Sequence, residues 1–286
     1  MRIDRFRVRH GDRKALKRHR PDDSGPFDGR DEATAHLETG LQRLDARQQL
    51  LYAQDRYALL LIFQGMDAAG KDHVIRHVMS GVSPQGCDVH SFKKPSAEEL
   101  DHDFLWRTSK ALPERGRIGI FNRSHYEEVL VVRVHPDDLK AEKLPPELVT
   151  KKIWDERFED INAFERYLVR NGTIIRKFYL HVSRDEQKRR LLERLDDPAK
   201  NWKFSESDVL ERDAWHAYQQ AFADAIAATS HRHAPWYVVP ADHKWFAQAL
   251  VADVIAEALE ALDLSFPTLS AAQRRGIAKA RRRLER

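Results

Sequence analysis

The 286-residue sequence predicts one α/β domain built on a doubly wound parallel sheet. Three observations favour this class. Residues 57–63 are continuously apolar, which is typical of a strand buried on both faces of a parallel sheet. Similar short apolar runs recur along the chain, separated by amphipathic helical patterns. A glycine loop follows the first strand and leads into a helix, at the edge of the sheet where such folds bind their ligands.

The predicted elements alternate along the chain. Leucines at helical spacing predict a first helix over residues 32–54, before the strand at 57–63. A second helix over 71–79 follows the glycine loop. Further strands are predicted at 89–92, 118–121, 173–182 and 236–239, further apolar helix stripes at 154–168, 210–222 and 246–259, and loops at 84–86, 145–146 and 196–200.

The composition excludes several classes of protein. A hydrophobic fraction of 42% and a charged fraction of 33% are typical of a soluble globular domain. The longest apolar run is too short to span a bilayer, and no apolar stretch follows the basic start, so we expect a cytoplasmic protein with no membrane partner. The single Cys87 cannot form an internal disulfide. We interpret His231 and His233 as part of a surface loop rather than a metal site.

The positive charge is concentrated at the two ends of the chain. Residues 1–20 carry nine Lys/Arg and two Asp, and residues 274–286 carry seven Lys/Arg and one Glu. Because the whole chain carries +4, the body from 21 to 273 carries −9. We expect both ends to be solvated and partly disordered, with binding of nucleic acid or another polyanion as the alternative.

The stretch LIFQGMDAAGKDHVI at 61–75 contains a phosphate-binding pattern. Gly65, Gly70 and Lys71 match G-x-x-x-x-G-K between a predicted strand and a predicted helix. Backbone N–H groups of the loop, including Ala68 and Ala69, and the positive end of the helix would hold phosphate oxygens. Lys71 would neutralise charge on the transferred group.

Two acids depart from the usual form of this loop. Asp72 stands where Ser or Thr normally binds magnesium, and Asp67 lies inside the loop. Magnesium prefers oxygen ligands and needs only one or two carboxylates beside bound phosphates, so both acids are predicted Mg²⁺ ligands. The alternative for Asp72 is a first-turn acid favoured by the helix dipole, a contribution of about 0.3–1 kcal/mol.

A second motif, IGIFNRSHYEE, occupies residues 118–128. The predicted strand ends at Asn122, where an acid would usually assist magnesium, and Arg123 could pair with a phosphate through two hydrogen bonds. The alternative is a strand end with a surface arginine.

A third motif, RRLLERLDDPAKNWKFSESDVLER, occupies residues 189–212. Lys200, Trp202 and Lys203 interrupt two helical stretches, an arrangement that predicts a lid closing cations over phosphates. A charged surface hairpin is the alternative. Three further cations are predicted to extend a basic phosphate-binding groove, namely Lys93, Lys94 and Arg133.

The motifs QGMDAAGKD (64–72), FNRSHYE (121–127) and NWKFSESD (201–208), in this order, resemble those of polyphosphate kinase family 2 over about residues 30–265. The resemblance implies a three-layer, thymidylate-kinase-like P-loop kinase fold with a central parallel sheet and a helical lid. It also implies transfer of phosphoryl groups between inorganic polyphosphate and nucleotides, in a homo-oligomer that is a dimer or a tetramer. On this basis we expect a basic N-terminal extension (1–30), a catalytic domain (31–270, lid about 184–213) and a basic tail (271–286).

The resemblance also assigns roles to single residues. Asp67 and Lys71 match the family's loop acid and lysine, Arg123 its second-motif arginine, and Lys203 its lid lysine. The catalytic set is then Asp67, Lys71, Asn122 and Arg123. The FNRSHYE form resembles the branch that accepts both mono- and diphosphates, so Asn122 and Glu127 are the residues expected to select the acceptor. AMP, ADP and ATP are the expected nucleotides, with guanine nucleotides left open.

Two other functions fit parts of the sequence. An ATP-dependent nucleoside monophosphate kinase would use the same loop, although Asp67 and Asp72 and the missing strand-end acid count against it. A non-catalytic nucleotide or nucleic-acid binding protein would use the basic ends, but no recognisable nucleic-acid fold motif accompanies them.

Overall fold

The computed structural model describes the backbone of residues 1–286 and every side chain except that of Lys203. The strands are β1 (Ala58–Gln64), β2 (Cys87–Ser91), β3 (Ile118–Asn122), β4 (Thr173–His181) and β5 (Trp236–Pro240). The helices are α1 (Ala15–Arg18), α2 (Arg30–Gln54), α3 (Lys71–Val78), α4 (Ala97–Leu100), α5 (Trp106–Lys110), α6 (Glu127–Val134), α7 (Pro136–Ala141), α8 (Ile153–Arg170), α9 (Arg184–Asp196), α10 (Glu206–Leu210), α11 (Trp215–Thr229), α12 (Lys244–Glu260) and α13 (Ala271–Leu284). Short 3-10 turns cover Ile3–Phe6, Pro84–Gly86, Pro146–Leu148 and Asn201–Lys203.

The strands form one parallel sheet in the order β2-β3-β1-β4-β5. β1 lies at its centre, where Leu61 pairs with Ile120 of β3 on one side and with Arg176 of β4 on the other. One group of packed helices contains α2, α3 and α12, and another contains α6, α8 and α11. Helices on both faces explain why residues 58–64 are all buried and why β1 shows no polar alternation.

The direction in which successive strands are added to the sheet reverses at β1, and this reversal determines where the site lies. β3 lies on one side of β1 and β4 on the other, so their carboxyl ends meet the loop between β1 and α3. Such a switch point is where open α/β sheets leave a crevice for ligands. The motifs at 64–72 and 121–127 therefore meet at one edge, although 48 residues separate them in the chain.

The prediction of a solvated N-terminal end was wrong. Phe6 and Val8 are buried, the Val8 N–H donates to the Trp236 carbonyl at 2.9 Å, and Arg7 forms an antiparallel bridge with Tyr237. The apolar residues between the arginines give the segment a core-facing side, and the net charge obscured that pattern. This segment covers part of the outer edge of β5.

The C-terminal end is solvated, as expected, but it is helical rather than disordered. Every residue of α13 is exposed, and a capping box between Ser270 and Gln273 begins the helix. The apolar stripe predicted over 210–222 is divided, because residues 211–214 form turns that Arg212 ties to α9 by donating to Gln187 Oε1 at 2.6 Å. No helix of the described chain combines the length and the hydropathy needed to cross a membrane.

Candidate active site

The loop between β1 and α3 has the backbone geometry that its glycines predict. Gly70 has a φ of 100° immediately before the first residue of α3, a conformation that favours glycine. A Cβ on Gly65 would lie 2.9 Å from the Leu180 carbonyl oxygen, so β4 leaves no room for a side chain there. Ala68 also has a positive φ, of 59°. The loop is therefore a tight structure that begins α3 at the carboxyl edge of the sheet.

Lys71 lies under this loop. Its ammonium Nζ donates to the carbonyl oxygens of Gly65 at 2.7 Å and Met66 at 3.3 Å. Burial, together with the nearby Arg123 guanidinium, lowers the pKa of Lys71 to about 8. A phosphate in the loop would stabilise the charged form of the lysine, because the opposite charge would replace two carbonyl dipoles.

Each predicted metal-binding acid pairs with a residue at the end of β3. Asp67 Oδ1 accepts a hydrogen bond from Arg123 Nη2 at 2.6 Å, and Asp72 Oδ1 accepts one from Asn122 Nδ2 at 2.5 Å. Arg123 has a φ of 65° and also donates to Glu127 Oε2 at 2.9 Å. The carboxylates of Glu127 and Asp67 raise the pKa of Arg123, so the guanidinium stays charged.

A single cavity of about 750 Å³ joins the three motifs. Eight Lys/Arg side chains and four Asp/Glu side chains line it. The predicted site residues that line it are Asp67, Ala68, Gly70, Lys71, Asp72, Lys93, Asn122, Arg123 and Lys200. A cavity with an excess of cations fits a ligand rich in phosphate.

Other predicted residues lie behind or beside this cavity. Gly65 and Glu127 line a small adjoining pocket of about 30 Å³ behind Arg123. Ala69, a residue of the loop itself, is buried. Lys200 lines the main cavity, but its ammonium pairs with Glu193 at 2.6 Å and Asp197 at 3.0 Å. The side chain of Lys203 lies outside the described residues.

The structure places two predicted phosphate-binding residues elsewhere. Arg133 pairs with Asp224 at 2.8 Å, and Lys94 lies 3.7 Å from Asp138. Neither residue lines the main cavity. Arg133 occupies the last turn of α6, about 9 Å along the helix from its first residue at 1.5 Å per residue, so α6 carries it away from the edge of the sheet. The prediction for Arg133 relied on its charge and did not take the direction of α6 into account.

Helix α9, which lies within the predicted lid, contributes residues that the sequence did not single out. Arg190 donates to the Ala68 and Ala69 carbonyls at 3.1 and 2.9 Å, and Gln187 Nε2 donates to the Asp67 carbonyl at 2.9 Å. Arg194 pairs with Asp208 at 2.5 Å at the wall of the cavity. Positions 187, 190 and 194 share one face of a helix, so helical spacing counted from Ser183, which caps α9, could have identified them. Lys244, at the start of α12, was also missed.

A buried polar cluster supports the backbone just beyond Arg123. Lys177 of β4 pairs with Glu165 of α8, and the Tyr126 hydroxyl bonds to both, at 2.9 Å from Lys177 Nζ and 2.8 Å from Glu165 Oε1. All three side chains are essentially excluded from solvent. Burial raises the pKa of Glu165 and lowers that of Lys177. The cluster fixes Tyr126, which precedes the first turn of α6, against the centre of the sheet.

Comparison with known proteins identifies the family. The model of the polyphosphate kinase 2 family (PPK2) matches residues 28–267. The chain belongs to this family. It is 52% identical over 281 residues to an ADP-polyphosphate phosphotransferase of Rhodopseudomonas palustris, covering 98% of this chain and 97% of the relative. It is 44% identical over 266 residues to an AMP/ADP-polyphosphate phosphotransferase of Meiothermus ruber, covering 93% and 96%.

A solved relative has the same fold. The crystal structure of polyphosphate kinase 2 from Arthrobacter aurescens TC1 superposes with a TM-score of 0.85 at 38% identity, covering 96% of this chain and 95% of that one. The predicted α/β P-loop kinase fold with a central parallel sheet is therefore confirmed. Family membership also confirms the predicted enzyme class, a polyphosphate-dependent nucleotide phosphotransferase.

Proposed function

We propose that this enzyme transfers phosphoryl groups from inorganic polyphosphate to both AMP and ADP, with Mg²⁺ held by Asp67 and Asp72. The observation that carries the proposal is the convergence of Lys71, Asp67, Arg123 and Asn122 in one cation-rich cavity. Loose phosphoryl transfer depends mainly on positioning and charge neutralisation, and these side chains offer both. The names of the relatives, one for ADP and one for AMP and ADP, support the two acceptors.

The charged and the neutral side chains of the cavity have different proposed roles. Arg123 presents a planar guanidinium that can hold a phosphate through two hydrogen bonds, while Glu127 behind it fixes its orientation. Lys71 would exchange two loop carbonyls for a phosphate oxygen on the transferred group. Lys244 adds positive charge along the chain of the donor, and Arg194 and Lys200 would exchange their carboxylate partners for phosphate there. Asn122 supplies an amide with no charge where the acceptor phosphates accumulate.

The donor set fits magnesium rather than a softer metal. Asp67 and Asp72 offer hard carboxylate oxygens in the same cavity, and magnesium is commonly held by one or two carboxylates together with phosphates and water. Among the described residues, no group of three or more His, Cys, Asp or Glu side chains could hold a metal ion. Phosphate and water oxygens would therefore complete the coordination. When bound, Mg²⁺ would neutralise the phosphate charge between donor and acceptor.

The proposal also covers the oligomeric state and the cellular location of the enzyme. The enzyme would be a cytoplasmic homo-oligomer, and the resemblance to the family supports the assembly, a dimer or a tetramer. Light scattering of the purified protein tests this, and a monomer at working concentration contradicts it. An ATP-dependent nucleoside monophosphate kinase is the alternative that a donor assay excludes.

The test is a donor and acceptor assay with metal control. Purified protein is incubated with polyphosphate, Mg²⁺ and each of AMP, ADP, GMP and GDP, and products are resolved by ion exchange. We expect ATP from ADP, ADP and ATP from AMP, and no product in excess EDTA. Turnover with ATP but not with polyphosphate would refute the proposed donor, and ATP formed at an unchanged rate in EDTA would refute the metal role.

A pair of variants assigns the metal to the site. Asp67→Asn should weaken the binding of Mg²⁺ and so raise the Mg²⁺ concentration at half-maximal activity. Asp137 is an exposed acid paired with Lys140, and Asp137→Asn should leave that concentration unchanged. Titration calorimetry of Mg²⁺ in the presence of ADP gives a second reading that does not depend on turnover. Equal behaviour of the two variants would remove Asp67 from the metal site.

A further inference from the structure

The N-terminal segment forms a basic groove outside the region that the family model matches. The model begins at residue 28, whereas residues 4–19 line a separate cavity of about 490 Å³. Its cations are Arg5, Arg7, Arg9 and Arg18, and its acids are Asp4 and Asp12. The buried Phe6 and Val8 anchor the segment, and the arginines that alternate with them line the groove.

Two of these arginines form no ion pair within the described part of the chain, although the Arg7 guanidinium is near enough to Glu257 to counter the rise in pKa that burial causes for that carboxyl. Arg5 pairs with Asp23 and Arg18 pairs with Asp12. Arg7 donates to the Arg232 carbonyl at 3.3 Å, and neither Arg7 nor Arg9 forms an ion pair with a described side chain. The segment is folded although residues 1–20 carry nine cations and two acids. Like charges held this close repel each other, so an anionic ligand along the groove would relieve the repulsion.

The groove adjoins the active-site cavity through the carboxyl edge of the sheet. Arg190, which lines the cavity, donates to the Asp242 carbonyl at 3.1 Å. The Asp242 N–H in turn donates to the Pro21 carbonyl at 3.0 Å, and the His19 carbonyl lies 2.9 Å from His181 Nδ1 at the end of β4. Residues 19–21 therefore connect the wall of the active site to the groove.

We propose that this groove binds the distal part of the polyphosphate chain while the reacting end occupies the active site. The inference rests on the proposed donor, because polyphosphate is a polyanion that can extend beyond the active-site cavity to a second cluster of arginines. The groove then gives the enzyme a preference for long chains without changing the chemistry at the loop. A short chain ends inside the main cavity and gains nothing from the groove.

The test compares chain lengths in matched variants. The groove variant, Arg7→Gln/Arg9→Gln, removes two charges that form no ion pair. The control variant, Arg274→Gln/Arg275→Gln, removes two exposed charges from α13. This helix follows the C-terminal end of α12, which is the end of α12 far from the cavity. In the groove variant the KM for long-chain polyphosphate should rise about tenfold at low ionic strength, since phosphate contacts dominate such binding. Its kcat, its KM for ADP and its KM for tripolyphosphate should not change. The α13 variant should resemble the unmodified protein, and Arg7→Lys/Arg9→Lys should restore long-chain KM.

The salt dependence provides an independent measurement. Losing two contacts should reduce the slope of log affinity against log salt for labelled long-chain polyphosphate by about 1.4, at about 0.7 per contact as for a single-stranded polyanion. In the unmodified protein the slope for the long chain must be steeper than that for tripolyphosphate. Equal slopes, an equal rise in KM for both lengths, or the same effect in the α13 variant would overturn the groove. Loss of duplex DNA binding with unchanged polyphosphate binding would overturn it as well.

These outcomes separate the groove from the proposed function. Turnover of tripolyphosphate with ADP that shows no chain-length effect would leave the function standing and refute the groove. Absence of turnover with every polyphosphate would refute the donor itself.

Discussion

Asn122→Asp tests the charge balance of the site with the change of one atom. The Asn122 amide donates to Asp72 Oδ1 at 2.5 Å, and a carboxylate cannot donate that hydrogen bond. The substitution therefore brings two carboxylates face to face. For unit charges about 4 Å apart at an effective dielectric constant of about 20, the repulsion is about 4 kcal/mol. The free variant can relieve it only by taking up a proton or a cation, so its activity should depend more steeply on Mg²⁺.

The same charge should alter the choice of acceptor. ADP brings about one more negative charge than AMP. At about 8 Å and an effective dielectric constant of about 40, one added charge opposes another by about 1 kcal/mol, or about fivefold in kcat/KM. We therefore expect the ratio of AMP to ADP use to rise about fivefold in Asn122→Asp.

The assay measures kcat/KM for AMP and ADP at saturating polyphosphate over a range of Mg²⁺ concentrations. Asn171→Asp is the matched control, because it makes the same chemical change at an exposed residue before β4, at the opposite end of the sheet. A ratio equal to that of the unmodified enzyme, with an unchanged Mg²⁺ dependence, would remove Asn122 from both the acceptor site and the neighbourhood of the metal.

Three further predictions follow from contacts described above. Lys71→Ala should reduce kcat by about 10²–10³ while the protein stays folded, as when a preorganised charge stabiliser is lost, and more than about a third of the original turnover would refute the phosphate-loop role. Because the pKa of Lys71 is about 8 in the free protein, its ammonium is charged below that pH and neutral above it. The kcat/KM for polyphosphate should therefore fall by up to about tenfold per pH unit above 8, and a flat profile to pH 9.5 would contradict this. Lys177→Met should lower the free energy of unfolding by about 3–5 kcal/mol, because Glu165 would remain buried and unpaired, and adding Glu165→Leu should recover much of the loss; denaturant titration that finds the double variant no more stable than Lys177→Met would refute the pairing argument.

Local patterns predicted most of the fold. The continuous apolar run of β1 indicated a sheet covered on both faces, and the glycine spacing fixed the loop that ends at Lys71. Charge composition was a poor guide to the N-terminal segment, because Phe6 and Val8 anchor it in the core whatever the arginines between them contribute to the net charge. Burial depends on the order of apolar and charged residues along the segment, and the net charge of the segment does not contain that information.

The site was predictable in its members but not in its pairings. Asp67 and Arg123 are 56 residues apart, and they meet only because β3 lies beside β1, which no local pattern specifies. Arg190 of α9 shows the opposite case. The prediction missed Arg190, although helical spacing from the cap of α9 places it toward the loop, because it used only the residues that interrupt the helix.

Trp202 gives this enzyme an optical signal of its own. Its side chain is 77% exposed at the wall of the main cavity, whereas Trp215 and Trp236 are buried in the core. An indole that leaves water emits at shorter wavelength, so closure of the predicted lid over bound phosphates would shift the emission of Trp202 to the blue, against the background of the other five tryptophans. Stopped-flow fluorescence could then time lid movement against product formation without any added label, and Trp202→Phe would supply the blank.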